Sequence, residues 1–245
     1  MKNNNFWKRW KNKTRIEERA IESVKKAMKL LKDNLSREEL ISVYIKGSFV
    51  TREMNKKSDV DILPIVKDKS VIKKLKKVRD KNKEILRPSE LLPISYTELK
   101  KNNREWGRAD TFLRDIEHHQ RVYGKKLIKE DYPARKWEGM FNDELVMIRD
   151  KSVLMHKEGK YGFSQLIKQV FWLVYSEQVM LGKNPPRTWK GLNKFIKEKE
   201  RIIHKAYYFR KHPTKEKKPR KEFVKNLERY LKKITKRYQK EGMVQ

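Results

Sequence analysis

Residues 42–66, SVYIKGSFVTREMNKKSDVDILPIV, contain two apolar runs separated by a polar loop, a pattern few folds accommodate. SVYIK and VDILPIV read as strands, and Gly47-Ser48 marks a turn into a short helix. Side chains alternate along a strand, so Asp59 and Asp61 project from one face. Two carboxylates side by side repel each other and are costly unless a cation neutralises them. Mg²⁺ prefers carboxylate oxygens and usually arrives with a phosphate-bearing substrate. Upstream, Gly47 lets backbone approach a ligand closely, and a helix start after it offers N–H groups to phosphate. A phosphate seat and a metal seat one loop apart equip a chain for nucleotide chemistry.

The order Gly47-Ser48, ten residues ending in Ser58, then Asp59-x-Asp61 and an apolar strand resembles the signature of the DNA polymerase β-like nucleotidyltransferases, in particular the minimal ones. The resemblance implies an NTP with its phosphates on Gly47 and Ser48. It also implies two Mg²⁺ ions on Asp59 and Asp61, and Ser58 at the nucleotide site. The family often carries Ala-Arg-Gly shortly after Gly-Ser, where this chain has Val50, Thr51 and Arg52; Arg52, one position displaced, is the candidate for that phosphate contact.

Around this stretch, Ile16, Ala20, Val24, Met28 and Leu31 stripe an amphipathic helix over 15–33. Ser36 and Glu39 form a capping box leading into the strand at 42–46. Residues 69–84 read as a lysine-rich helix and 89–96, SELLPISY, as another strand. Asp61-Ile62-Leu63-Pro64-Ile65 and Glu90-Leu91-Leu92-Pro93-Ile94 echo each other. Strand, helix, strand suggests a parallel crossover, and in matching register Glu90 lands beside Asp61. The resemblance implies a third carboxylate on a later strand, a role Glu90 matches; Glu98, in a segment that looks like a helix start, competes. Proline within a strand marks an edge or an end, so pairing is expected to lapse at Pro64 and Pro93. Residues 104–123 read as a helix ending at Gly124, with His118 and His119 as surface or interface residues rather than metal ligands.

From Pro133 onward the pattern is helical, with helices expected near 134–156, 161–182, 189–211 and 220–240. The predicted fold is therefore α+β: a mixed-sheet nucleotidyltransferase domain over 1–128, followed by an all-α bundle over 129–245. GKNPPRTWKGLNKFI resembles a turn of HEPN-type bundles and of the helical domains of antibiotic nucleotidyltransferases. Arg149 and His156 fit the spacing of HEPN ribonucleases, but on the wrong helix, and are read as a chance pair. In the last helix Phe223, Leu227, Leu231, Ile234 and Tyr238 form the buried stripe. Its other faces, including Lys232, Lys233, Lys236 and Arg237, either form a solvated surface or track a nucleic-acid backbone.

Charge narrows the partners. Lys and Arg number 64 against 32 Asp and Glu, a net +32, which attracts polyanions and repels polycationic aminoglycosides. With no cysteine, disulfides, thiolate zinc and cysteine nucleophiles are excluded. MKNNNFWKRWKNK lacks an apolar signal core, and Lys168, Gln169 and Glu177 interrupt the most hydrophobic run, so a cytoplasmic, non-membrane protein is expected. The expected activity is Mg²⁺-dependent transfer of an NMP, from ATP by preference, onto an acceptor hydroxyl with release of pyrophosphate, Glu90 assisting the acceptor-side metal. The expected acceptor is nucleic acid, tRNA or another RNA end. The alternatives are an antitoxin-type enzyme that adenylylates a protein partner, and a catalytically silent nucleic-acid-binding protein.

Overall fold

The computed structural model describes residues 5–56, 58–101, 107–133 and 135–242. The chain divides into two compact units, Met1–Ala134 and Arg135–Gln245.

In the first unit, helix α1 (Arg15–Asn34) starts at a complete capping box between Thr14 and Glu17. Its buried stripe of Ala20, Ile21, Val24, Ala27, Met28 and Leu31 packs on one face of a sheet. Ser36 and Glu39 exchange the expected reciprocal bonds (2.9 and 3.2 Å), and strand β1 follows at Leu40–Lys46. A single turn, α2 (Ser48–Thr51), precedes strand β2 (Val60–Val66). Helix α3 (Lys69–Lys81) is capped by Asp68, and Asn82 separates it from a second short turn, α4 (Lys83–Leu86), where one helix was expected.

The expected strand at 89–96 is two, β3 (Ser89–Leu91) and β4 (Ile94–Ser95), interrupted at Leu92-Pro93 as the missing proline N–H requires. Both pair with β2 in parallel. At Pro64 the expected lapse occurs on one edge only. The proline lies inside continuous β2 and keeps its place opposite Val43 of β1, while the β2 edge facing β3 and β4 is where pairing lapses. The short turn α5 (Tyr96–Leu99) is capped by Ser95.

The helix expected over 104–123 is replaced by helix α6 (Arg108–Asp115), a 3₁₀ turn at Ile116–His118, and strand β5 (Gln120–Gly124); residues 104–106 lie outside the described residues. β5 pairs antiparallel with β1, giving the sheet order β3-β2-β1-β5 with β4 also on β2. Val122 reaches the α1 side of the sheet, an alternation too short for a helical reading to expose. The opposite face is covered by α6 around Tyr44, Leu63, Ile65, Leu99 and Phe112.

The second unit is all helical: α7 (Trp137–Met147), a π-helical stretch Ile148–Ser152, α8 (Val153–Lys157), α9 (Phe163–Met180), α10 (Trp189–Phe195), α11 (Ile202–Lys211) and α12 (Lys217–Lys240). The helix expected at 189–211 is thus two, and that at 134–156 is interrupted. α9 runs through an apolar core of aromatic and branched side chains, with Glu177 buried in it. That carboxylate is tolerated because Arg201 pairs with it and Tyr238 donates a hydrogen bond to it at 2.8 Å. Arg149 is bonded to Asp150 and His156 to the carbonyl of Tyr161, so each member of the chance pair has its own local partner. Among the described residues, no helix is long and apolar enough to cross a membrane.

Gly124 fixes the β1–β5 register. Its φ is +78°, and a Cβ there would sit 2.1 Å from the Ile41 carbonyl oxygen. Gly124→Ala is expected to lower stability by about 2 kcal/mol or more, from the backbone strain and the clash combined, in urea unfolding. A change within about 0.5 kcal/mol, the range of ordinary surface substitutions, would show that this strand end yields freely.

Candidate active site

The site is assembled by register. β2 and β3 run parallel with Asp61 opposite Glu90, the pairing the echoed sequences predict. Asp59 precedes β2 by one residue and stays on the Asp61 face. Oxygen atoms of Asp59, Asp61 and Glu90 come within 4.8 Å of one another, with Asp59 and Glu90 exposed and Asp61 half-buried. Three carboxylates so close, on an open surface, form a donor set suited to a hard divalent cation. Glu98 stands apart on α5, within 3.5 Å of Lys69 and 3.4 Å of Lys101.

Each arm of the cluster is held from behind. The start of β3 is pinned by α1: Ser23 Oγ lies 2.5 Å from the Leu86 carbonyl and 2.7 Å from Ser89 Oγ, and accepts the Ser89 N–H at 3.1 Å. Ser58 closes the loop before Asp59. Its hydroxyl accepts the Asn55 N–H at 2.9 Å while its own N–H donates to the Asn55 carbonyl at 3.0 Å. Gly47 adopts φ +79°, and a Cβ there would be 3.5 Å from Asp61 Oδ2, so the Gly-Ser turn abuts the carboxylates directly. Ser48, half-buried, opens α2 at the same place.

Arg52 does not join them. It follows α2 in the left-handed region (φ 59°), and its guanidinium donates to Glu17 at 2.7 and 3.1 Å and to the carbonyls of Lys11 and Asn12 at 3.2 Å, over the ring of Trp10. The sequence placed Arg52 among the phosphate ligands; in this structure it fastens the N-terminal segment to the α2 turn. Its hydrogen bonds hold the Glu17 carboxyl down to about 2.

His119 is also corrected. It is buried and stacks on Phe112 at 5.4 Å, whereas His118 is exposed. A cavity of about 310 Å³ lies beside the carboxylates on the same sheet face, between Leu63, Leu92, Phe112, His119, Lys46 and Arg108. Sequence reasoning named none of the last three as site residues. Lys46 was findable, since it ends the strand facing β2 and stands opposite Asp61. In the second unit Lys232, Lys233, Lys236 and Arg237 are all exposed on α12, away from its buried stripe. Lys233 and Arg237 line a groove of about 440 Å³ together with Lys205, Arg229, Glu198 and Glu200.

Residues 27–115 match the family described as nucleotidyltransferase domain. The crystal structure of spectinomycin adenyltransferase AAD(9) from Enterococcus faecialis with ATP and spectinomycin shares the fold at TM-score 0.60 and 17% identity, over 86% of this chain and 98% of that one. No curated protein matches the chain in sequence.

The Arg52–Glu17 pair gives a signed pH dependence. A carboxyl depressed in the folded state contributes stability above its unfolded value, near 4.5, that is lost as pH falls toward 2. The stability deficit of Arg52→Ala, measured by chemical denaturation, is therefore expected to be largest above pH 5 and to shrink between pH 4.5 and 2. A deficit independent of pH would assign the role of Arg52 to its backbone and ring contacts instead.

Proposed function

We propose that this chain, which carries a nucleotidyltransferase domain of the DNA polymerase β-like kind followed by a helical unit, transfers an NMP from ATP to the hydroxyl of a nucleic-acid end, an RNA end such as that of tRNA being preferred. The observation that carries the transfer chemistry is the convergence of Asp59, Asp61 and Glu90 beside Gly47.

In this reading Gly47 and Ser48 receive the triphosphate, and the three carboxylates hold Mg²⁺, two ions in the full arrangement. Bound there, the metal would supply charge neutralisation for the phosphates and acidify the acceptor hydroxyl. Glu90, reaching the cluster from the neighbouring strand, takes the hydroxyl proton. The acceptor oxygen forms a bond to the α-phosphorus as the bond from the α-phosphorus to the bridging oxygen breaks, and pyrophosphate leaves with that oxygen. Ser58, read at the nucleotide site, positions Asp59 through the loop it closes.

The acceptor assignment rests on electrostatics. A net +32 and the exposed cations of α12 favour a polyanion. An antibiotic acceptor is the second reading, favoured by the likeness in fold to an adenyltransferase solved with spectinomycin. A cationic drug would have to approach against the charge of the whole chain.

The test is incubation with each labelled NTP in turn, with total RNA, total protein or spectinomycin as acceptor. Label is expected from ATP into RNA, falling steeply with salt, and lost by more than about 100-fold in Asp61→Asn and Glu90→Gln but not in Glu98→Gln. Label entering protein or spectinomycin alone would replace the acceptor, and full activity in Asp61→Asn would remove the carboxylate chemistry.

A further inference from the structure

The cavity beside the carboxylates has a composition that selects its occupant. It begins one strand repeat beyond the cluster, about 7 Å along the sheet. Leu63 follows Asp61 on β2, and Leu92 follows Glu90 while still donating its N–H to the Ile62 carbonyl at 2.8 Å. Leu63, Leu92 and Phe112 make an apolar surface; Lys46 and Arg108 bring two basic side chains, and buried His119 also lines the cavity. Among the described residues that line it, none is acidic. A volume of about 310 Å³ is at the lower end for small-ligand sites, room for one nucleotide-sized unit.

Among the described lining residues a polycationic aminocyclitol would find no carboxylate to pair with, whereas a base on the apolar wall with a phosphate against guanidinium and ammonium matches both kinds of surface. We infer that this cavity seats the terminal nucleotide of the acceptor, its base against Leu63, Leu92 and Phe112 and its phosphate on Arg108 and Lys46. The inference rests on reading Asp59, Asp61 and Glu90 as the transfer centre, because the cavity then delivers the terminal hydroxyl to that centre. It names Lys46 and Arg108 as acceptor-binding residues, and Thr111, on the α6 wall, as the position from which the cavity can be filled.

Equilibrium dialysis of a labelled, 5′-phosphorylated RNA trinucleotide tests it without requiring turnover. Mg²⁺ and a saturating non-hydrolysable ATP analogue keep the trinucleotide out of the NTP site. Arg108→Glu and Thr111→Trp are each expected to weaken the trinucleotide by about tenfold or more, while the affinity for the ATP analogue stays within about twofold. Thr111→Ser is expected to restore wild-type binding, which separates filling of the cavity from damage to the fold. Loss of ATP-analogue affinity in parallel would place the NTP's own base in the cavity and overturn the inference. So would unchanged trinucleotide binding in both variants, or binding of spectinomycin that the same variants abolish. If trinucleotide binding behaves as expected but no NMP is ever transferred, the transfer reading falls and the binding site stands.

Discussion

Mutual repulsion among three carboxylates is the constraint around which the first unit is built. Asp59, Asp61 and Glu90 would separate if their backbones were free, and nothing in a flexible loop would hold their oxygens within 4.8 Å. The parallel register of β2 and β3 fixes Asp61 opposite Glu90, the Asn55–Ser58 turn brings Asp59 to the strand start, and Ser23 of α1 fastens the base of β3. The apolar face of the sheet, buried on α1, makes that register expensive to change, because a one-residue slip would turn Val60, Ile62 and Leu91 out of the core. Hydrophobic burial on one face thus holds charge together on the other.

That face sorts chemistry by position along the strands. Carboxylates stand at the start of β2, beside the glycine turn; a cation-lined cavity follows, and α6 closes the far end over Tyr44, Leu63 and Phe112. Arg52, placed by sequence among the phosphate ligands, secures the segment that precedes α1. The cations that line the cavity belong to no motif of their own. Lys46 is distinguished only by standing opposite Asp61, and Arg108 only by opening α6 above the cavity.

Much of this was legible because it depends on local periodicity. The strands around Gly47, the capping box at Ser36 and the echo that pairs Asp61 with Glu90 are short-range patterns whose geometric consequence is nearly forced. What escaped depends on tertiary context. Gln120–Gly124 carries mixed side chains and becomes a strand because β1 offers an unpaired edge and Gly124 can take a positive φ against Ile41. His119 reads as a surface residue until Phe112 stacks on it. Arg52 could not be assigned from its position near Gly-Ser, because its choice of partner depends on Glu17, thirty-five residues away. In the second unit the helical periods were plain, but the break between α10 and α11 and the π-helical stretch at Ile148–Ser152 follow from packing around α9 rather than from any strong breaker.

The central claim is that Asp59, Asp61 and Glu90 together hold a divalent ion beside a nucleotide at Gly47. Its most direct test is anomalous diffraction from crystals grown with Mn²⁺ and a non-hydrolysable ATP analogue. The account predicts a manganese peak within about 2.0–2.5 Å of oxygen atoms from all three carboxylates, with the triphosphate against Gly47-Ser48. A peak held by the triphosphate alone, or by Glu98 in place of Glu90, would contradict it.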